Sequence, residues 1–136
     1  MEIRQLHHAS VPVRDVERAK AFYRDVLGLE EIERPPFDFG GAWFAVGEGQ
    51  LHLIQHPDAT FRDGKGIDSR DTHLAIRVAS FRAALERLRA HGYDADAEHD
   101  LQKLRVRPDP TAGFPQIHLL DPDRNVVEIN AETSDL

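Results

Sequence analysis

The sequence predicts an α+β fold made of two tandem βαβββ modules. Three observations carry this reading: an internal repeat, strand-length apolar alternations bounded by turn clusters, and two helical stripes, each opened by a capping residue and closed by glycine. His8 and His73 lie 65 positions apart, as do Asp15 and Ser80, and Gly28 and Gly92 lie 64 apart. A fixed period of this size is the signature of a duplicated structural unit.

In the first module, residues 6–13 alternate as a strand, placing His8, Ser10 and Pro12 on one face. Asp15 is a helix N-cap; Val16, Ala19, Phe22, Tyr23, Val26 and Leu27 follow helical spacing, and Gly28 ends the helix. Residues 29–33 read as a strand. Residues 43–46 and 50–55 form a hairpin across Gly47, Glu48 and Gly49, and pairing Val46 with Gln50 sets Phe44 opposite His52. Trp43, Phe22 and Tyr23 read as core. Residues 56–70 are polar, with Pro57, Gly64 and Gly66, and read as a flexible linker.

The pattern then restarts. Residues 72–78 form a strand, Ser80 caps a helix whose stripe is Phe81, Ala84, Leu85 and Leu88, and Gly92 ends it. Residues 93–97 and 104–107 are strand candidates. The run 115–130 is a hairpin around Asp121, Pro122, Asp123, Arg124 and Asn125. Pairing Leu120 with Val126 sets His118 opposite Glu128 on the same face. The chain is therefore one domain, 1–136, with modules at 5–56 and 71–131 joined by a linker at 57–70.

Composition narrows the function. The chain has 136 residues and no cysteine, which excludes disulfides, thiolate metal sites and a cysteine nucleophile, and fits a cytoplasmic, reducing setting. A net charge of −7 argues against a nucleic-acid or anionic-membrane partner. No run is apolar enough for a signal peptide or a membrane span.

Polar residues interrupt the strands at matching places in the two modules: His8 with His73, and His52 with Glu128, the latter two each three residues past their turn's last residue (Gly49, Asn125). A carboxylate on a half-buried strand is costly unless paired or holding a metal. Three imidazoles and one carboxylate suit Zn, Ni, Fe, Co or Mn. Each residue also has a plainer role: His8 or His73 capping a backbone group, His52 packed on Phe44, Glu128 on a solvent face. Ser10 shares a face with His8, and His118 with Glu128, so both are candidates to meet substrate. Arg105 and Arg107 share a strand face and are placed either to clamp an anionic substrate or to form a solvated surface.

The segments LHHASVPVRDVERAKAFYRDVLGLE, QLHLIQ, THLAIRV and DPDRNVVEIN resemble the vicinal oxygen chelate superfamily, the glyoxalase, bleomycin-resistance and extradiol-dioxygenase group. The resemblance implies paired modules forming a cup-shaped mixed sheet around a divalent metal. It implies ligands from the first and last strand of each module, here His8, His52, His73 and Glu128. It also implies a homodimer whose sites combine His8 and His52 of one copy with His73 and Glu128 of the other; the rival arrangement pairs both modules of one chain, and the linker is long enough for either. The expected activity is a metal-dependent, glyoxalase-like lyase or isomerase acting on a small oxygen-chelating substrate. In it Glu128, His52 and His118 handle the proton, and Ser10, Phe44 and Arg105 line the substrate. Two alternatives remain open: a non-haem Fe(II) extradiol-type dioxygenase using His8, His73 and Glu128, and a non-catalytic ligand-sequestering protein. One departure is specific: glyoxalase I proteins usually carry glutamate at the position of His52.

Overall fold

The computed structural model describes residues 1–58 and 62–136. The chain forms two compact units, Met1–Phe61 and Arg62–Leu136.

The first unit runs β1 (His8–Val13), α1 (Val16–Lys20), a π-helical continuation (Ala21–Val26), β2 (Glu30–Ile32), β3 (Gly41–Val46) and β4 (Gly49–Gln55). Its sheet has the order β1-β4-β3-β2, with β1 parallel to β4 and the other pairs antiparallel. Asp15 caps α1 by accepting from the Arg18 N–H at 3.0 Å, and Gly28 leaves the helix at φ 81°, a conformation open to glycine. Ala19, Phe22 and Tyr23 face the core against Phe44, Leu51 and Leu53, all buried.

The second unit repeats the plan: β5 (His73–Arg77), α2 (Phe81–Ala90), a 3₁₀ turn (Asp100–Gln102), β6 (Arg105–Arg107), β7 (Gln116–Leu120) and β8 (Val126–Asn130). Sheet order is β5-β8-β7-β6, matching the first sheet position for position, so the βαβββ repeat is present as expected. Ser80 caps α2 by accepting from the Ala83 N–H at 3.0 Å. The chain end adds a second cap, Asp135 Oδ1 accepting from the Arg82 N–H at 2.7 Å and Oδ2 from Ser80 Oγ at 2.6 Å. Phe81, Leu85 and Leu88 are the buried stripe.

Three expectations change. The β3–β4 hairpin closes one residue tighter, with Val46 opposite Gly49. Gly47, at φ 56°, takes the first central position of a two-residue turn. A one-residue slip exchanges the faces of a strand. Phe44 therefore lies opposite Leu51, fully buried in the core, and Trp43 lies opposite His52. Phe44 cannot line a substrate site from there. Residues 93–97 form no strand, only one bridge between Asp94 and Lys103. After Gly92 the Asp94 side chain bonds the Ala95 N–H at 2.7 Å, a local turn that competes with extended pairing.

The linker is the third. Residues 59–61 lie outside the described residues. The stretch after them folds around Arg62, whose side chain is buried. Its guanidinium donates to the Arg124 carbonyl at 2.7 Å, to the Gly66 carbonyl and to Asp71 Oδ2.

The β7–β8 hairpin keeps its expected register, Leu120 opposite Val126 and His118 opposite Glu128. Its turn is organised by the buried Asp121, whose Oδ1 accepts from the Asp123 and Asn125 N–H groups at 2.9 and 2.8 Å. Arg124 sits at φ 67° within that turn.

Candidate functional site

In the second unit the paired registers of four strands put His73, Ala75 and Arg77, Val126, Glu128 and Asn130, Leu120, His118 and Gln116, and Arg105 and Arg107 on one face. Glu128 is at the centre and is 4% exposed. A buried carboxylate needs partners, and it has them. Asn130 Nδ2 donates to Oε1 at 2.7 Å, and Gln116 Nε2 donates to Oε2 at 2.8 Å. Arg77 Nε donates to Asn130 Oδ1 at 2.8 Å, which fixes which way that amide faces.

Two imidazoles approach the same carboxylate oxygen. His73 Nε2 is 3.6 Å from Glu128 Oε2, and His118 Nε2 is 3.1 Å from it. His73 Nδ1 lies 2.8 Å from the Asp71 carbonyl, so it carries the proton and Nε2 presents its lone pair. His118 is fully buried, and its contact with Glu128 lacks the alignment of a hydrogen bond; both ring nitrogens are without a hydrogen-bond partner among the described residues. It shares Glu128's face as expected, but its surroundings make it a neighbour of Glu128 rather than a group open to substrate.

Burial holds His118 below the ordinary histidine range, against the upward pull of the Glu128 charge. In the first unit burial, with the neighbouring imidazoles of His8 and His7, does the same to His52. Both groups therefore bind protons more readily unfolded than folded. Their contribution to stability is complete above the unfolded value of about 6.5 and falls away as pH drops below it. We expect the loss of stability between about pH 7.5 and 5.5, followed by urea unfolding, to be shallower in His118→Gln than in the parent protein. Identical slopes would show that His118 does not titrate on unfolding.

In the first unit the equivalent face carries His8 and Ser10 on β1, Gln50 and His52 on β4, and Trp43 on β3. His52 is 7% exposed and is held between two rings: His8 at 4.2 Å and 16°, and Trp43 at 3.9 Å and 4°. Its Nε2 lies 2.8 Å from Gln50 Oε1. Ser10 is exposed beside it in register. Beyond Trp43 the ring array continues to Phe37 at 6.2 Å and on to Phe39, both exposed, with the Arg34 guanidinium over both.

Each unit thus brings its own expected pair together, His8 with His52 and His73 with Glu128. Among the described residues no group of three or more His, Asp or Glu side chains is placed to hold a metal ion. The second-unit pair fits a cation in its chemistry, since the His73 Nε2 lone pair lies 3.6 Å from a buried carboxylate oxygen of Glu128. Arg105 lies opposite His118, on the same face, but its Nη2 donates to the Ile67 carbonyl at 2.9 Å. Trp43, Gln50, Gln116, Asn130 and Arg77 are the residues that sequence reasoning missed. Parity along the strands identifies Gln50 from His52, Asn130 from Glu128, Gln116 from His118 and Arg77 from His73, whereas Trp43 depends on the register of the first hairpin.

The chain belongs to the Glyoxalase/Bleomycin resistance protein/Dioxygenase superfamily, whose family model matches residues 5–129. It is 26% identical to YwkD of Bacillus subtilis (strain 168) over 133 residues, 95% of this chain and 98% of that one. In fold it is similar to a variant of the fosfomycin resistance protein FosX from Listeria monocytogenes, complexed with Mn(II) and 1S,2S-dihydroxypropylphosphonic acid. That match has a TM-score of 0.67 and 18% identity and covers 98% of this chain and 95% of that one. It is also similar to TnmS3, an antibiotic binding protein from Streptomyces sp. CB03234 (TM-score 0.65, 26% identity, covering 96% of this chain and 98% of that one). No helix among the described residues is long and apolar enough to cross a membrane.

Proposed function

We propose that this protein is a divalent-metal-dependent, glyoxalase-like lyase or isomerase acting on a small substrate that chelates the metal through adjacent oxygens. The observation that carries the reading is the buried Glu128 carboxylate, approached through one oxygen by His73 Nε2, whose other nitrogen is tied to the Asp71 carbonyl. Glu128 and His73 would hold the metal with His8 and His52, the latter pair supplied by the partner copy of a homodimer. When bound, the metal supplies Lewis-acid stabilisation of an oxyanion developing on the substrate.

The chain's own residues do the rest. Glu128 and His52 are the groups able to hold a substrate proton, and His118 supports Glu128 from its buried side. Ser10 is exposed beside His52, within reach of a substrate oxygen. Metal analysis of protein purified without added metal, with O₂ uptake measured after anaerobic reconstitution, tests the reading. Zn, Ni or Co without O₂ uptake supports it; iron with O₂ uptake replaces it with an extradiol-type dioxygenase. Mixing His8→Ala chains with Glu128→Ala chains tests the shared site: activity should return in half of the heterodimer's sites. No recovery, with heterodimers shown to form, would exclude the sharing.

A second reading, a non-catalytic ligand-sequestering protein, is favoured by the ring array that ends in the exposed Phe37 and Phe39. Rings left partly open in a row are suited to stacking on a planar ligand. Absence of bound metal after reconstitution would favour it.

A further inference from the structure

The face that carries Glu128 in the second unit is strongly positive for a chain of net charge −7. Its strand residues include three arginines, Arg77, Arg105 and Arg107, and one carboxylate. Arg105 is engaged by the Ile67 carbonyl. The other two share a single row across all four strands: Arg77 on β5 pairs with Asn130 on β8, Asn130 with Gln116 on β7, and Gln116 with Arg107 on β6. Asn130 and Gln116 spend their amide hydrogens on Glu128. Glu128 therefore takes its hydrogen bonds from neutral groups, and neither Arg77 nor Arg107 forms an ion pair with it.

Arg77 is prepared for a ligand in two ways. Its Nε is fixed on Asn130 Oδ1 at 2.8 Å, and its guanidinium lies over the Phe114 ring at 4.9 Å. Orientation is thereby settled by groups that carry no charge, and no carboxylate pairs with it among the described residues. The Arg107 side chain makes no hydrogen bond or salt bridge among the described residues, and its charge is felt by Asp109 two residues on. Both are exposed. A guanidinium held in place by neutral groups, with a second on the same row free of any salt bridge, is suited to a planar or tetrahedral oxyanion.

We propose that Arg77 and Arg107 form a binding subsite for an oxyanion of the substrate, a carboxylate or a phosphate-type group. The chelating end of that substrate would lie at Glu128. The inference rests on the proposed function for the placing of that end; the anion subsite stands on the arginine row alone. Rows two residues apart on a strand are separated by about 7 Å, which sets the distance from the Glu128 row to the anion. The substrate class is accordingly a short bifunctional acid, chelating at one end and anionic at the other.

The test is calorimetric binding to zinc-loaded protein of two hydroxamates sharing one chelating head: acetohydroxamate, with a neutral tail, and succinic monohydroxamate, with a carboxylate tail. The carboxylate compound should bind about tenfold more tightly. That advantage should vanish in Arg107→Met, which touches none of Glu128's partners, and in Arg77→Met, with acetohydroxamate affinity unchanged in Arg107→Met. The phosphonate counterpart of the succinic compound tells a carboxylate from a phosphate-type preference. Equal affinity of the two tails for the parent protein, or an advantage that survives both substitutions, would overturn the proposal. If neither hydroxamate binds, the metal reading fails separately, and inorganic phosphate titrated into the metal-free protein decides the subsite: binding lost in Arg107→Met supports it, and no binding overturns it.

Discussion

Glu128→Gln is expected to lower the affinity for divalent metal by at least about tenfold, with the folded state retained. The substitution keeps the shape and removes the charge, but the neighbours add to the effect. Each carboxylate oxygen accepts from an amide, Oε1 from Asn130 and Oε2 from Gln116. A glutamine has one oxygen and one NH₂ to offer in their place. Asn130 cannot turn to accept without releasing Arg77, so the new oxygen must face Asn130 and the new NH₂ must face Gln116. That sets a donor against the Gln116 Nε2–H group, at a cost of about 1–3 kcal/mol unless Gln116 reverses, and takes away the oxygen that would face a cation beside His73. Competition with a chromophoric chelator measures the affinity. An unchanged value would remove Glu128 from the metal site.

The second large effect is expected far from any metal. Arg62→Met should destabilise the protein by about 2–4 kcal/mol, read as a lower urea midpoint at constant slope. The arginine is 7% exposed and satisfies the carbonyls of Arg124 and Gly66 while pairing with Asp71. Methionine replaces the stem and none of the donors. Asp71 keeps some access to water and to Lys65 at 3.7 Å, which limits the loss. The same residue lends its backbone carbonyl to His73 Nδ1, so the variant should also bind metal more weakly. A loss of less than about 1 kcal/mol would show that the loop finds another closure.

The second hairpin was legible because its turn residues leave only one register that keeps Val126, Glu128 and Asn130 in phase with Leu120, His118 and Gln116. The first hairpin was not. A Gly-Glu-Gly stretch closes either a two- or a three-residue turn, and the difference exchanges Trp43 for Phe44 beside His52. Arg62 was hidden for another reason: in a segment rich in glycine and charge, one arginine that folds the loop around itself has the same composition as a solvated linker. The amides around Glu128 were visible as parity and invisible as chemistry, since Asn and Gln on a strand announce no role until a buried carboxylate is seen between them. The tail's second cap on α2 left no sequence signal, because Asp135 lies 53 residues from the Arg82 N–H it accepts from.

The stack of His8, His52 and Trp43 also makes the protein its own optical reporter. Trp43 is the only tryptophan in the chain, and it lies at 3.9 Å and 4° against the imidazole of His52. An imidazolium in that position is an efficient quencher of indole emission, whereas a neutral ring is a weak one. The intrinsic fluorescence therefore follows the charge state and engagement of one candidate ligand, with no label attached and no contribution from any other indole.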